Sequence, residues 1–388
     1  MQSGSHEFLA QDRVIWGKPA AQAVVEEADR RKAARVFIVT SRTLNRTTDA
    51  VAAIVRALGA RHVGTFDECV EHTPRASVIA AAEAARAVNP DLVVTVGGGT
   101  AIDTSKVMLI ALTHNVRTVE GLSDWHMRVN PDGTRVLPPV QTPACRQIVV
   151  STTLGAAEFS DLGGCTDPVR KTKDAYTGKF IGAASVILDP AITVHTPDWL
   201  WLSTAVRGID HAVEGLCSVA PSPLIDATSL QALHLFGQGL PVLQKQRDDM
   251  PARLMCLQAA WMAGFGIMRV PYGASHGIGH SLGAVTGISH GYTSCIMLPH
   301  VMRFNLERTQ AQQARIAQAM GATDGDAAGA VARLIASLGM PTRLRDQGVK
   351  PEQFDAIAAG AIHNMWVRSN PRPIEGKAGV VKLLEAAY

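Results

Sequence analysis

Four histidines stand where they could act together. His276 and His280 lie four residues apart in the run SHGIGH, so on a helix both rings would point to one side. His290 follows in the same region, and His211 stands far upstream. Neutral imidazole is the commonest ligand for iron and zinc, and a catalytic metal keeps one position open for substrate. The four together indicate a candidate metal or proton-transfer site, although each one alone is as readily a core or surface residue.

A second candidate feature is the run of three glycines at Gly97, Gly98 and Gly99, which follows a strand pattern and precedes a helical pattern. A turn without Cβ atoms lets backbone N–H groups at a helix N-terminus face a phosphate, and the helix dipole favours the negative charge. Thr100 is predicted to cap this helix. The pattern is neither GxGxxG nor a Walker A loop. A glycine-rich turn without a ligand stays open as the alternative.

Another polar loop follows a predicted strand over residues 151–158, with the sequence STTLGAAE. Thr152 and Thr153 are candidates to line a cofactor, because small hydroxyl side chains suit that role. An ordinary connecting loop is the alternative.

The elements that would position these residues change character along the chain. In the first half, apolar runs typical of strands alternate with helical patterns, which predicts a parallel sheet covered by helices on both faces. In the second half, helical patterns follow one another. The predicted strands are 35–40, 62–66, 92–96, 147–151 and 185–188, and the predicted helices are 77–88, 100–112, 205–217, 226–246, 252–268, 310–320, 324–338 and 351–362.

Composition narrows the class of protein. The chain has 388 residues, of which 47% are apolar and 18% charged, as in ordinary folded proteins. The net charge of +3 is dispersed, which argues against a nucleic-acid partner. Six scattered cysteines without a CxxC pair argue against a disulfide framework and favour the reducing cytoplasm. No signal peptide is expected, and the most apolar helical stretch, 254–268, is too short for a bilayer, so no membrane partner is expected.

Four segments, taken in order, resemble the iron-containing (group III) alcohol dehydrogenases. Residues 97–106, GGGTAIDTSK, are similar to the family's GGGSxxDxAK, and residues 276–300 are similar to its HxxxHxLGA, HG and LPH run. Residues 210–214, DHAVE, resemble its HA(I/V)E helix, and residues 370–373 match its C-terminal NPRP. Each piece alone is weak, but the ordered combination is specific.

The resemblance implies a fold and a cofactor. The fold is the dehydroquinate synthase-like architecture, with a Rossmann-like α/β dinucleotide-binding domain over residues 1–190, an all-α domain over 191–388 that carries the histidine cluster, and a cleft between them. NAD(H) or NADP(H) would bind at the triple-glycine turn with Asp103, and Thr152 and Thr153 would lie near the nicotinamide. A homodimer or larger homo-oligomer is expected.

The resemblance also implies roles for the histidines. His211, His276 and His290 match three ligands of a divalent metal, iron or zinc, and His280 matches the histidine beside the nicotinamide. Metal-binding members usually place an aspartate four residues before His211, but here that position is Arg207. A guanidinium cannot ligate a cation and repels one.

Asp210 is a poor substitute for the missing aspartate, because adjacent helix positions point about 100° apart. Maleylacetate reductases, a branch of the same superfamily, also lack that aspartate and are regarded as metal-independent. Residues 151–160 and 170–173 look more like that branch.

The turn after the first strong strand bears on cofactor choice. Many NAD-using members carry an aspartate there for the ribose 2′-OH, whereas this chain has Ser41 and Arg42. Without the carboxylate, Arg42 could pair with a 2′-phosphate, which predicts that NADPH is accepted as well as, or better than, NADH. A solvent-facing Arg42 without a ligand is the alternative.

These features predict an NAD(P)-dependent oxidoreductase acting on a small alcohol or carbonyl. His280 would relay a proton, and without metal Arg207 would stabilise charge and bind a substrate carboxylate, assisted by Lys173 or Lys171. The alternatives are a metal-free maleylacetate reductase and a catalytically silent NAD(P)-binding homologue. A dehydroquinate synthase-like lyase would need further charged cleft residues that the sequence does not offer.

Overall fold

The computed structural model describes residues 4–130, 134–170 and 172–388. They form two compact units, which we call the sheet unit (Glu7–Thr196) and the helical unit (Pro197–Tyr388, with residues 4–6). The assignment of residues 1–190 to dinucleotide binding stays a prediction. None of the described helices is both long enough and apolar enough to cross a lipid bilayer.

The sheet unit is built on a six-stranded parallel sheet with the strand order β1-β10-β7-β4-β2-β3. Its central strands are buried on both faces, as expected for a sheet covered by helices on each side. The strands, in chain order, are β1 (Arg13–Trp16), β2 (Val36–Thr40), β3 (His62–Phe66), β4 (Leu92–Gly97), β5 (Arg128–Val129), β6 (Arg135–Val136), β7 (Arg146–Ser151), β8 (Leu162–Asp167), β9 (Thr172–Thr177) and β10 (Ala183–Leu188).

Five helices belong to the sheet unit. One apolar cluster joins α1 and α3 to one face of the sheet, and a second joins α4 and α5 to the other. The chain leaves β2 for the edge strand β3 and returns to place β4 on the other side of β2, which makes a topological switch point where ligands bind in such sheets. The helices are α1 (Ala20–Arg30), α2 (Arg42–Thr47), α3 (Ala50–Leu58), α4 (Arg75–Val88) and α5 (Gly99–Thr113).

The helical unit is built around α6, which is buried almost without interruption from Trp201 to Leu216 and packs against α7, α8 and α10. A helix that is apolar nearly all round belongs in a core. The helices are α6 (Asp198–Leu216), α7 (Pro223–Lys245), α8 (Met250–Gly264), α9 (Ala274–Thr286), α10 (His290–Ala319), α11 (Ala327–Ser337), α12 (Phe354–Ala361), α13 (Met365–Arg368) and α14 (Gly376–Ala386).

The predicted fold class, a parallel α/β half followed by an all-α half, is confirmed. The five predicted strands are present, but β1 and the antiparallel pairs β5–β6 and β8–β9 were missed because they are short or polar. Most of the chain between His276 and His290 is helical, since α9 runs through Gly283 and ends at Thr286. The helix predicted over 310–320 is present as the part of α10 that follows a kink at Thr309, whose backbone (φ −126°, ψ 22°) is not helical.

Candidate active site

The glycine turn lies at the carboxyl end of β4. Gly98 takes the N-cap position of α5 with extended backbone, so Thr100 is inside the first turn and the prediction that it caps the helix is wrong. A Cβ on Gly98 would lie 2.5 Å from Thr153 Cγ2, so this position needs glycine for a close approach. A Cβ on Gly99 would meet nothing within 4 Å. The start of α5 is therefore open, as a phosphate cradle requires.

The two polar loops meet at this edge of the sheet. Gly97 pairs with Ser151 at the ends of β4 and β7, and the N–H of Thr152 donates to the carbonyl of Gly97 at 3.1 Å. Ser151 Oγ donates to the buried Glu158 carboxylate at 2.5 Å. Burial raises the pKa of Glu158, although the Ser151 hydrogen bond opposes that change. Thr152 and Thr153 are thereby held beside the glycine turn.

A buried lysine holds the loop that follows β7 in place. Lys106 Nζ donates to the carbonyl oxygens of Ala157 and Leu162, both at 2.7 Å. Burial lowers the pKa of Lys106, and nearby carboxylates oppose this. Asp103, one turn earlier on α5, lies with its Oδ2 3.7 Å from Lys173 Nζ. The cofactor and catalytic roles predicted for Asp103 and Lys173 stay predictions.

Lys171, the other lysine considered for an assisting role, lies outside the described residues.

The turn after β2 is already occupied by interactions within the protein. Ser41 Oγ accepts a hydrogen bond from the N–H of Leu44 at 3.2 Å and so caps α2. Arg42 Nη2 donates to Glu68 Oε1 at 3.1 Å, and both side chains are more than half exposed. A carboxylate therefore stands next to the arginine that would meet a 2′-phosphate.

In the helical unit, the start of α9 is where two sequence motifs meet. Glu214 accepts hydrogen bonds from the N–H groups of Gly273 and Ser275, at 2.9 and 2.8 Å. Asn370 Oδ1 accepts one from the N–H of Ala274 at 3.0 Å. The first N–H groups of a helix have no intrahelical partner, and the dipole favours a carboxylate there. The DHAVE and NPRP motifs therefore fix the helix that carries two of the predicted histidines.

His276 lies at the centre of a buried polar cluster. Its Nδ1 is 2.8 Å from Glu214 Oε2 and 3.4 Å from Asp210 Oδ1, so this nitrogen faces two carboxylates. Its Nε2 is 2.9 Å from His211 Nδ1. Because Asp210 and His211 point about 100° apart on α6, they contact opposite nitrogens of one ring. A hydrogen-bonded chain thus links a buried carboxylate to two imidazoles.

Arg207 is buried beside this cluster. Its Nη1 lies 3.6 Å from Asp210 Oδ2, one helical turn away, and donates to Ser294 Oγ at 3.0 Å. The hydroxyls of Ser275 and Ser294 donate to Asp210 Oδ2 at 2.9 and 2.6 Å. Burial tends to raise the pKa of Asp210, but His276 and Arg207 outweigh it and hold that pKa below its usual value. The guanidinium thus compensates a buried carboxylate.

The other two predicted histidines lie side by side. The rings of His280 and His290 are 5.5 Å apart between centroids. The ring centroid of Trp366 lies 4.8 Å from that of His280 and 5.4 Å from that of His276, which it meets edge-on. Asn364 Nδ2 lies 3.4 Å from His280 Nδ1. The structure therefore places the four histidines in two neighbouring pairs, bridged by an indole.

Asp210, Glu214 and His276 are a candidate metal site, since each offers a ligand atom and these atoms lie within 4.8 Å of one another. A divalent cation does not fit the set as it stands. The Nδ1 of His276 is at hydrogen-bond distance, 2.8 Å, from Glu214 Oε2, and both Glu214 oxygens accept hydrogen bonds, so these atoms are already engaged with one another. Arg207 adds a positive charge 3.6 Å from Asp210. The metal-ligand role predicted for His211, His276 and His290 stays a prediction.

Sequence reasoning missed three residues of this site. Ser294 and Trp366 carry no motif that distinguishes them from core residues. Glu214 was noted only as part of DHAVE, yet it contacts the backbone and the ring of His276. Its position one turn after Asp210 on α6 was the available signal.

Comparisons with known proteins agree with these features. Residues 11–190 match the family "Iron-containing alcohol dehydrogenase". Residues 202–388 match "Fe-containing alcohol dehydrogenase family, C-terminal". Together the two matches span nearly the whole chain.

Individual relatives are oxidoreductases. The chain is 31% identical to dehydrogenase ALT3 of Alternaria alternata, over 87% of this chain and 94% of that protein. It is 28% identical to the NAD-dependent methanol dehydrogenase of Bacillus methanolicus, over 94% and 95%. The crystal structure of maleylacetate reductase from Agrobacterium tumefaciens superposes with a TM-score of 0.83 at 26% identity, over 100% and 99% of the two chains.

Proposed function

Because the chain belongs to the iron-containing alcohol dehydrogenase family, we propose that it transfers a hydride between NAD(P) and a small carbonyl or alcohol without needing a bound divalent metal. The observation that carries the proposal is the buried Arg207, which pairs with Asp210 where metal-binding members usually carry an aspartate. A fixed positive charge stabilises charge that develops on a reacting oxygen.

The glycine turn supports the cofactor part of the proposal. The carboxyl ends of β2 and β4 lie at the switch point of the sheet, and the first turn of α5 presents backbone N–H groups with no Cβ in front of them. When bound, a reduced nicotinamide supplies the hydride. Gly97 to Gly99 would hold the phosphates, while Thr152 and Thr153 line the same edge.

The cradle is tested by Gly99→Ala. We expect the Kd for NADH and NADPH to rise roughly tenfold, or about 1.4 kcal/mol, because the added methyl stands where a phosphate approaches the backbone. The melting temperature should not fall, since the methyl meets nothing in the protein. Gly98→Ala is the matched contrast and should lower stability by its clash with Thr153. An unchanged Kd in Gly99→Ala would contradict the phosphate-binding role and would mean that this is an ordinary strand-to-helix turn.

Cofactor choice is tested at the turn after β2. We expect Arg42→Ala to lower kcat/KM for NADPH about tenfold and to leave NADH nearly unaffected, because a 2′-phosphate loses a charge-assisted hydrogen bond. Glu68→Gln should shift the preference the other way, toward NADPH, since it removes the carboxylate that pairs with Arg42. Equal losses for both cofactors in Arg42→Ala would contradict a discriminating role.

The reduction of a carbonyl needs a hydride at carbon and a proton at oxygen. In the proposed mechanism Arg207 supplies positive potential, and His280 relays the proton. Trp366 and Asn364 hold the His280 ring in place. Burial of the cluster excludes water, which strengthens every charge interaction within it.

Replacement of His280 tests the relay. We expect His280→Ala to lower kcat by about 10²- to 10⁴-fold, the usual contribution of a positioned general acid, and to flatten its pH dependence. His234→Ala, at an exposed position on α7, is the control and should behave as wild type. An unchanged kcat across pH in His280→Ala would remove it from the mechanism.

The proposed activity is tested by following NAD(P)H oxidation with aldehydes, ketones and oxo-acids. Turnover with a simple aldehyde supports a general carbonyl reductase. Turnover restricted to maleylacetate supports the second candidate, a maleylacetate reductase, which the Arg207 substitution and the similarity to that structure favour. Arg207 already binds Asp210 and Ser294, so selectivity for a substrate carboxylate would need the guanidinium nitrogens that these do not use. NAD(P)H binding without turnover of any substrate would indicate a silent homologue.

We propose a cytoplasmic homo-oligomer. All six cysteines are free, which suits a reducing compartment. Size-exclusion chromatography with light scattering would decide between monomer and oligomer.

A further inference from the structure

A second cavity lies in the helical unit, away from the histidine cluster. Its volume is about 380 Å³, within the range of roughly 300–1,000 Å³ that holds small ligands. It is lined by the end of α14, by α11 and the segment that follows it, and by the first half of α10. The lining includes Cys295, Pro299, His300, Arg303, Arg343 and Arg345.

Three of the lining side chains are arginines without a carboxylate partner. In the part of the chain that the structure describes, no Asp or Glu oxygen comes within 4.0 Å of the guanidinium groups of Arg303, Arg343 or Arg345. Arg315 and Arg333 of the same unit, by contrast, are paired with Asp226 and Asp324. Three guanidinium groups without a carboxylate partner therefore line one cavity.

The neighbouring histidine responds to the same charge. Burial lowers the pKa of His300, and Arg303 lowers it further by repulsion. The cavity also has a defined shape, since the N–H of Leu344 donates to the carbonyl of Ala387 at 2.8 Å and ties the arginine-bearing segment to the end of α14. Guanidinium groups bind carboxylates and phosphates through paired N–H donors.

We propose that this cavity, which we call the arginine cavity, binds a small polyvalent oxyanion bearing carboxylate or phosphate groups. The three guanidinium groups supply the donors, and Cys295 and Pro299 form an apolar part of the lining. The proposal is independent of the reaction. The lining is linked in sequence to the candidate active site, because Ser294, the residue before Cys295, contacts Arg207 and Asp210.

Calorimetric titration of the purified protein with citrate and with inorganic phosphate, at ionic strength held constant with chloride, tests the proposal. We expect saturable binding of at least one of them and a loss of about tenfold or more in affinity in Arg343→Gln, because a hydrogen bond to a charged group is removed. The double variant Arg303→Gln/Arg343→Gln should abolish it. Citrate binding without phosphate binding would identify a polycarboxylate ligand, and the reverse would identify a phosphate ligand.

The matched control is Arg315→Gln, which lies on the same helix as Arg303 but is paired with Asp226. Its affinity for both anions should equal that of the wild type. Thermal unfolding should show that all variants fold, since each change is at an exposed side chain. Absence of binding, or binding that survives in the double variant and so belongs elsewhere on the protein, would overturn the proposal.

Discussion

Replacement of Arg207 by methionine lowers the free energy of unfolding by about 3–5 kcal/mol, the usual cost of removing one partner of a buried ion pair. Asp210 is fully buried, and in Arg207→Met its charge keeps only two serine hydroxyls and His276 as partners. We expect kcat to fall as well, because in the proposed mechanism Arg207 supplies the fixed positive charge that stabilises the reacting oxygen. Denaturant unfolding and steady-state kinetics measure the two effects.

Arg247→Met is the matched control. Arg247 Nε lies 3.6 Å from Asp198 Oδ2, the same distance as between Arg207 and Asp210. The side chains of Arg247 and Asp198, however, are both about half exposed. The loss should therefore stay below about 1 kcal/mol. Arg207→Lys keeps the charge and should recover part of the stability. Equal, small losses in Arg207→Met and Arg247→Met would show that Asp210 does not depend on the guanidinium.

Glu214→Gln is the second large effect. The carboxylate accepts hydrogen bonds from the backbone at the start of α9 and from His276 Nδ1, and an amide would set an N–H₂ group against some of these donors. We expect a loss of about 3 kcal/mol in unfolding free energy, because buried donors lose a charged acceptor. The His276 ring would turn, and kcat would fall at least roughly tenfold.

Glu307→Gln, at an exposed glutamate on α10, is the control for this change and should alter stability by less than about 0.5 kcal/mol. A Glu214→Gln variant with wild-type stability and wild-type kcat would mean that the start of α9 is capped adequately by Asn370 alone.

The sheet could be predicted from the sequence because its central strands are buried on both faces and therefore read as continuous apolar runs. The apolar run over 92–96 and the glycines after it predicted both β4 and the start of α5. The edge strand β1 and the β8–β9 hairpin could not be found in this way. Seven of the twelve residues in β8 and β9 are only partly buried or exposed, so these strands do not read as apolar runs although they pair over a short stretch of chain. β1 is only four residues long, and its partner β10 lies far along the chain.

The candidate site was predictable in its residue types but not in its bonding. The spacing of His276 and His280 placed both on one helix, which the structure contains. The i, i+3 spacing of Arg207 and Asp210 on α6 allowed their pairing, but spacing could not give that Asp210 and His211 contact opposite sides of His276. Those contacts depend on how α9 and α10 approach α6, which the residues of α6 alone do not encode.

The central claim is that Arg207 replaces a metal in this member of the family. It is tested most directly by the metal content of the purified protein, measured by elemental analysis alongside turnover before and after exhaustive chelation. We predict substoichiometric iron and zinc and a rate that chelation leaves unchanged. Stoichiometric iron or zinc with turnover that is lost on chelation and restored by the metal would contradict the claim. It would also mean that His211, His276 and His290 bind the ion despite the guanidinium beside them.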